Sequence, residues 1–146
     1  MSDARTSRQL ACTCARLRRT ARQATRFYDV ALRPVGLRLT QFSILANLER
    51  SEGLTVTRLS GLLGLERTTL TRNLKPLDTA GWVEIGKGQD NRSRKVALTP
   101  RGRAKLAEAR PLWRSVEEDF RRAIGPQTAE QLIELLDGAF RDTPRA

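Results

Sequence analysis

The sequence predicts a mostly α-helical chain, six helices and one β-hairpin, arranged as a winged helix-turn-helix between long N- and C-terminal dimerisation helices. Three observations predict it. Apolar residues recur at alternating steps of three and four over both ends of the chain. In the middle, a glycine at position 64 joins two short helical segments. After Gly81 the apolar period drops from 3.6 to 2, around a turn rich in Gly, Asp and Asn.

The first helix is read over 10–35. Its seam is Leu10, Cys14, Leu17, Ala21, Ala24, Tyr28, Ala31 and Val35, a heptad-like series. Roughly 25 residues at ~1.5 Å each make a rod of about 38 Å. Such a rod cannot cover its seam against 146 residues of its own chain, so the seam is expected to be partly intermolecular. Pro34 and Gly36 end it. A second helix is capped by Thr40 and presents Phe42, Ile44, Leu45 and Leu48. Residues 55–64 form a short third helix closed by Gly64, and 66–80 a fourth, stopped by Gly81. Pro76 lies inside that fourth helix, where it removes the bond to the Arg72 carbonyl and is expected to bend the axis.

Trp82–Ile85 and Lys95–Leu98 read as the hairpin strands, with the turn at 86–91. Thr99-Pro100 opens a fifth helix, since proline at the first position costs no hydrogen bond. Its seam is Leu106, Ala109, Trp113, Val116, Phe120 and Ala123. Gly125-Pro126 breaks it. A sixth helix carries Ala129, Leu132, Ile133, Leu136, Ala139 and Phe140, and the tail from Asp142 is expected to be disordered. The whole chain, 1–146, is read as one domain. Residues 8–38 and 100–141 supply the dimerisation helices, and 39–99 the central lobe.

Charge points to a partner. There are 27 Lys+Arg against 16 Asp+Glu and no histidine, a net charge of +11. Residues 1–50 carry +7, 51–100 carry +3 and 101–146 carry +1. So large a basic excess implies a polyanion, above all nucleic acid. The lack of histidine removes His-based zinc sites, the Ser-His-Asp triad and the His general base. A Cys12-x-Cys14 pair alone supplies too few ligands for a metal, and no catalytic group or cofactor is expected. No apolar run is long enough to cross a membrane and the N-terminus has no signal-peptide core, so a cytoplasmic protein is expected.

The fourth helix is the informative one. Leu70, Leu74 and Leu77 share one side. Opposite stand Thr68, Arg72 and Lys75, flanked by Thr69 and Thr71, with Arg67 at the start. Hydroxyls and cations can bond base edges and phosphates, and ordinary solvated faces mix charge signs. Glu66 and Asp78 are read as lying off that face. The hairpin adds Lys87, Arg92 and Arg94 to the candidate DNA contacts, with Asp90 expected to fix the wing by pairing with a nearby arginine.

The stretch LSGLLGLERTTLTRNLKPLDTAGWVE and the wing DNRSRKVALTPRG resemble the MarR family of bacterial transcriptional regulators. That family's wing signature is matched by Asp90, Arg92, Leu98, Thr99 and Gly102, and the resemblance covers about residues 8–141. It implies a triangular homodimer in which helices one, five and six interlock and two lobes read a pseudo-palindromic double-stranded operator. It implies repression, released by small phenolic or lipophilic ligands or by oxidation.

The same resemblance implies an effector pocket between the dimer helices and the lobe, with Leu17, Arg19, Phe27, Tyr28, Phe42 and Trp113 as candidate liners. Aromatic residues at helical spacing also serve as plain core. Cys14-x-x-Leu17, Arg22 and Thr25-Arg26-x-Tyr28 are similar to the branch of the family that senses organic hydroperoxides, which makes Cys14 the candidate redox residue. Two tyrosines of that branch are here Arg18 and Leu39. Read from its own position on the seam, Cys14 is a small core residue. Three functions therefore stand side by side: a ligand-released repressor, a thiol-based hydroperoxide sensor, and a non-specific architectural DNA-binding protein.

Overall fold

The computed structural model describes residues 12–90, 92–139 and 141. Leu10, Asn91, Phe140 and the tail from Asp142 lie outside the described residues, with the expectations placed on them. The elements run α1 (Thr13–Leu32), a 3₁₀ turn (Arg33–Val35), α2 (Leu39–Glu49), β1 (Leu54–Thr55), α3 (Val56–Leu63) and α4 (Arg67–Thr79). Then follow β2 (Val83–Lys87), β3 (Arg94–Leu98), α5 (Pro100–Ile124) and α6 (Pro126–Gly138). Six helices and a wing are thus present, as the periodicity predicts.

Several boundaries differ, each for a local reason. The first helix leaves α geometry at Leu32 rather than Val35. Pro34 has no N–H for the α-ladder, so the chain tightens and the Gly36 N–H donates to the Arg33 carbonyl at 2.9 Å. Thr40 does not cap α2; Arg38 is its N-cap residue. The free N–H groups there go elsewhere: Arg38 N–H to Gln41 Oε1 at 3.0 Å, and Leu39 N–H to Asp29 Oδ1 at 2.7 Å. A carboxylate on α1 thus does the capping that a side chain at position 40 was expected to do.

The helix-turn-helix is closed by two bonds. Gly64, at φ +62°, lets its own N–H reach the Gly61 carbonyl while Leu65 N–H reaches that of Ser60 at 3.0 Å. The buried Ser60 hydroxyl donates back to the Leu65 carbonyl at 2.6 Å. The turn is therefore tied on both sides, which fixes how α4 leaves α3. The same pair of bonds ends α4, from Gly81 N–H to Asp78 and from Trp82 N–H to Leu77. Pro76 stays inside α4 rather than ending it.

The hairpin strands are longer than read. β2 runs to Lys87 and β3 starts at Arg94, in antiparallel register Val83↔Leu98 to Lys87↔Arg94. The unpredicted β1 adds a third strand, Leu54↔Val96 and Thr55↔Lys95, giving the order β1-β3-β2. Thr55 then turns to cap α3, its Oγ1 accepting from Arg58 N–H at 3.1 Å.

The core lies in the central lobe. Leu45, Leu48, Leu59, Leu70, Leu77 and Val96 are fully buried there, closed on one side by Leu106 and Ala109 of α5. The wing root sits flush on α5. Thr99 Oγ1 donates to the Gly81 carbonyl at 2.6 Å and accepts from Gly102 N–H at 3.0 Å. A Cβ on Gly102 would stand 1.9 Å from the Trp82 carbonyl oxygen. Only glycine allows that approach, which is the physical content of the Leu98-Thr99…Gly102 spacing.

Candidate nucleic-acid interface

α4 buries Leu70, Leu74 and Leu77 and leaves Thr68, Thr71, Arg72 and Lys75 exposed on the opposite side. Those four residues form one wall of a cleft of about 810 Å³, and Ile85 and Arg94 of the wing form the other. A smaller recess of about 180 Å³ continues from Arg67 and Thr71 to Arg92. Recognition helix and wing thus converge on one concave, cationic surface. The described ion pairs join Lys105–Glu108, Arg110–Glu49, Arg121–Glu130 and Arg122–Asp119. None of them takes a cation from α4 or the wing.

Two local features sharpen the surface. Lys87 and Arg94 stand directly opposite in the ladder, a like-charge pairing that costs stability unless an anion lies over it. Thr71 Oγ1 donates to the Arg67 carbonyl at 2.8 Å. Its hydroxyl proton is thereby committed, and toward the cleft it offers lone pairs only.

The structure corrects parts of the sequence reading here. Asp78, read as off the face, lines the cleft with Lys75. It sits seven residues after Thr71, two full turns on, so the helical wheel itself held that signal. Thr69 is half-buried and lines neither recess; its carbonyl accepts from Asn73 Nδ2 at 2.9 Å. Ile85, the apolar residue of the wing wall, was missed. Lys87 is exposed at the strand end, outside both recesses. Asp90 is not in any described ion pair. Its Oδ1 accepts from Ser93 N–H at 2.7 Å, and the hydrogen bonds from Ser93 hold its carboxyl below the usual range. It shapes the wing through the backbone instead of through an arginine.

The six candidate pocket residues do not share one cleft in the described chain. Leu17 and Tyr28, on one face of α1, line an apolar cleft of about 740 Å³ between α1, α5 and α6. Phe27 is exposed and packs edge-on against Tyr28. Phe42 and Trp113 stack 5.5 Å apart in a separate cleft of about 290 Å³ between α2 and α5, beside Arg50, Arg110 and Arg114. Arg19 is exposed and lines neither. Cys14, expected as core, is exposed, as is Cys12, whose Sγ accepts from Ala15 N–H at 3.4 Å. The N-terminal half of the seam it lies on, with Leu17 and Ala21, is exposed, whereas Tyr28 further along the same seam is buried.

That apolar cleft has a polar strip in its floor. Tyr28 donates its hydroxyl to Glu117 Oε2 at 2.5 Å, and Arg121 beside them pairs with Glu130. Burial, then the hydrogen bond to Glu117, push the Tyr28 phenol above its ordinary value. Around the strip, Leu132, Ile133 and Leu136 of α6 stay exposed, Leu136 by 52%. Among the described residues no helix is long and apolar enough to cross a membrane, and no cluster of metal-ligating side chains occurs.

Comparison with known proteins places this geometry. A model described as the MarR family matches residues 35–93. YwoH, an HTH-type transcriptional regulator of Bacillus subtilis, is 30% identical over 104 residues, which cover 71% of this chain and 76% of YwoH. The M. tuberculosis transcriptional regulator MosR, solved in complex with DNA, is 40% identical with a TM-score of 0.78, covering 92% of this chain and all of that one. The transcriptional repressor CouR, solved on a 23-mer DNA duplex, is 26% identical with a TM-score of 0.82, covering 97% and 99%.

Proposed function

The chain belongs to the MarR family of transcriptional regulators, and on that premise we propose that it is a cytoplasmic, homodimeric, sequence-specific DNA-binding repressor. The observation that carries the proposal is the cationic cleft shared by α4 and the wing, whose arginines and lysines have no acidic partner in the described chain. Residues 39–99 act as the reading lobe. Arg72 and Thr71 face base edges, with Thr71 acting as acceptor. Arg92, Arg94 and Lys87 grip phosphates or the minor groove. DNA-bound MosR and CouR support the same use of this fold.

Residues 8–38 and 100–141 act as the dimer stalk. The exposed Leu17, Leu132, Ile133 and Leu136 make a patch that a second copy covers. A two-fold dimer then presents two clefts to a pseudo-palindromic operator. Release by an aromatic or lipophilic effector is supported by the stacked Phe42–Trp113 cleft, which lies between stalk and lobe and has Arg50 and Arg114 at its rim beside the Arg110–Glu49 pair. The cleft suits an aromatic acid.

A second reading, thiol control through Cys14, has one observation in its favour: both cysteines are exposed at the start of α1. A gel shift separates the two. Release by a small aromatic acid that Cys14→Ser leaves intact supports the ligand reading. Release by stoichiometric organic hydroperoxide that Cys14→Ser abolishes supports the thiol reading. The binding function itself is tested by footprinting the DNA that flanks the chain's own gene. A protected pseudo-palindrome is expected.

A further inference from the structure

Lys105 occupies a junction that neither the DNA cleft nor the apolar seam uses. It lies on α5 one turn beyond Gly102, where that helix backs onto the wing root, and its side chain is only 19% exposed. Its Nζ donates to the Val35 carbonyl at 3.2 Å and to Glu108 Oε2 at 2.7 Å. It also stands 5.2 Å from the centroid of the Trp82 ring. Two of its N–H groups are thus taken by a carbonyl and a carboxylate, and its charge lies over an aromatic face. The carboxylate offsets the charge locally, on α5 itself. The other two contacts reach in different directions: Val35 closes the turn after α1, and Trp82 leads into β2.

We propose that Lys105 is a positioning residue for operator recognition: held between the Val35 carbonyl and the Trp82 ring, it sets the angle of the winged lobe on the α1–α5 stalk, and with it the half-site spacing the dimer accepts. The proposal rests on the reading of the chain as a dimeric operator-binding protein. In such a dimer each lobe is carried at the end of a stalk, so a small change of angle at the root displaces the recognition helix by more than it displaces the pin. One base pair is only ~3.4 Å along the duplex. A lobe pinned by the lysine as well as by the Thr99 and Gly102 contacts therefore discriminates more sharply against an operator lengthened by a base pair than one held by those contacts alone. The carbonyl and ring contacts both need the N–H donors or the charge, so an apolar side chain of the same reach fills the space without making the lock.

The test uses the full chain and the operator that the wild type selects from random duplex DNA. Variants of that operator gain or lose one or two base pairs between the half-sites. Wild type is expected to lose about tenfold in affinity, or more, per base pair of altered spacing. Lys105→Met keeps an unbranched stem over Trp82 but no donor. It is expected to sediment as a dimer and to bind a single half-site as wild type does, while its penalty for altered spacing shrinks at least threefold. Lys105→Arg, which restores charge and donors, is expected to recover most of the penalty; a purely space-filling role would not show that rescue. Should Lys105→Met fail to fold, Trp82→Leu removes the lobe-side ring, together with part of its packing against the core, and is expected to relax spacing in the same way. Unchanged spacing discrimination in a folded Lys105→Met or Trp82→Leu dimer overturns the proposal. If the wild type selects no paired half-sites at all, the underlying reading as an operator-binding dimer fails, and the proposal with it.

Discussion

Arg72 and Arg92 sit on the same cationic surface and are expected to fail differently when removed. Arg72 faces out from the middle of α4, where a guanidinium can reach base edges. Arg72→Ala is expected to lower affinity for the chosen site by about 1–3 kcal/mol and to relax preference at one position. Arg92, at the wing, works against phosphate charge, so Arg92→Ala should weaken all sequences alike and reduce the salt slope by about one. Titration at two salt concentrations on chosen and random DNA separates these outcomes, and either variant binding as wild type refutes its assignment. Gly102 is a different kind of residue. A methyl group there meets the Trp82 carbonyl and Leu98 Cδ1, at 1.9 and 2.7 Å. Gly102→Ala should therefore destabilise the fold by roughly 1–3 kcal/mol as the wing root is pushed off α5, read as a lowered thermal midpoint. At this scale the sequence was legible where a side chain's partner is local. Gly64 closes its own helix and Thr99 caps its own, through Gly102 N–H, although Thr99 also donates to the Gly81 carbonyl eighteen residues back. Asp29, which caps α2 from α1, was not legible, because the partner lies ten residues away on another element.

At the scale of elements, helices were readable from their own period and the short strand was not. β1 is two residues long and exists only because β3 pairs with it; two residues carry no period. Pro76 and Pro111 both sit inside helices that continue past them, since the buried leucines of α4 and the packed face of α5 outweigh one missing hydrogen bond each. The seams of α1 and α6 were read correctly as apolar, yet within the chain they remain largely uncovered. The same pattern that marks a core helix marks a dimer helix, and the difference is only what lies opposite. α6 supplies the direct test. Leu132→Asp with Leu136→Asp places two charges on its exposed apolar face. The double variant is expected to sediment as a folded monomer and to lose operator affinity, while the wild type sediments as a dimer at micromolar concentration. A wild-type monomer would contradict the assignment of this face. The candidate effector residues divide between two clefts for a related reason: Leu17 and Tyr28 share one face of α1, whereas Phe42 and Trp113 face each other across α2 and α5. Spacing along a sequence does not reveal which of two clefts a residue enters.

For the whole molecule, the distribution of charge and apolar surface assigns the two halves different work. The +11 net charge is concentrated toward the N-terminal two thirds. Among the described residues the cations of α4 and the wing form no ion pair, while those paired by acids lie on α5. Exposed apolar side chains gather on α6, at Leu132, Ile133, Leu135 and Leu136, with Leu17 of α1 lining the same cleft. The central claim is that the cationic cleft reads sequence and does not merely hold a polyanion. Binding to the DNA flanking the chain's own gene, titrated against random duplex of equal length at physiological salt, tests it most directly. The account predicts at least ~10³-fold preference for the flanking site, with a salt slope of several units on both DNAs. Equal affinity for the two would contradict it, and would mark the chain as an architectural binder that coats DNA without choosing where.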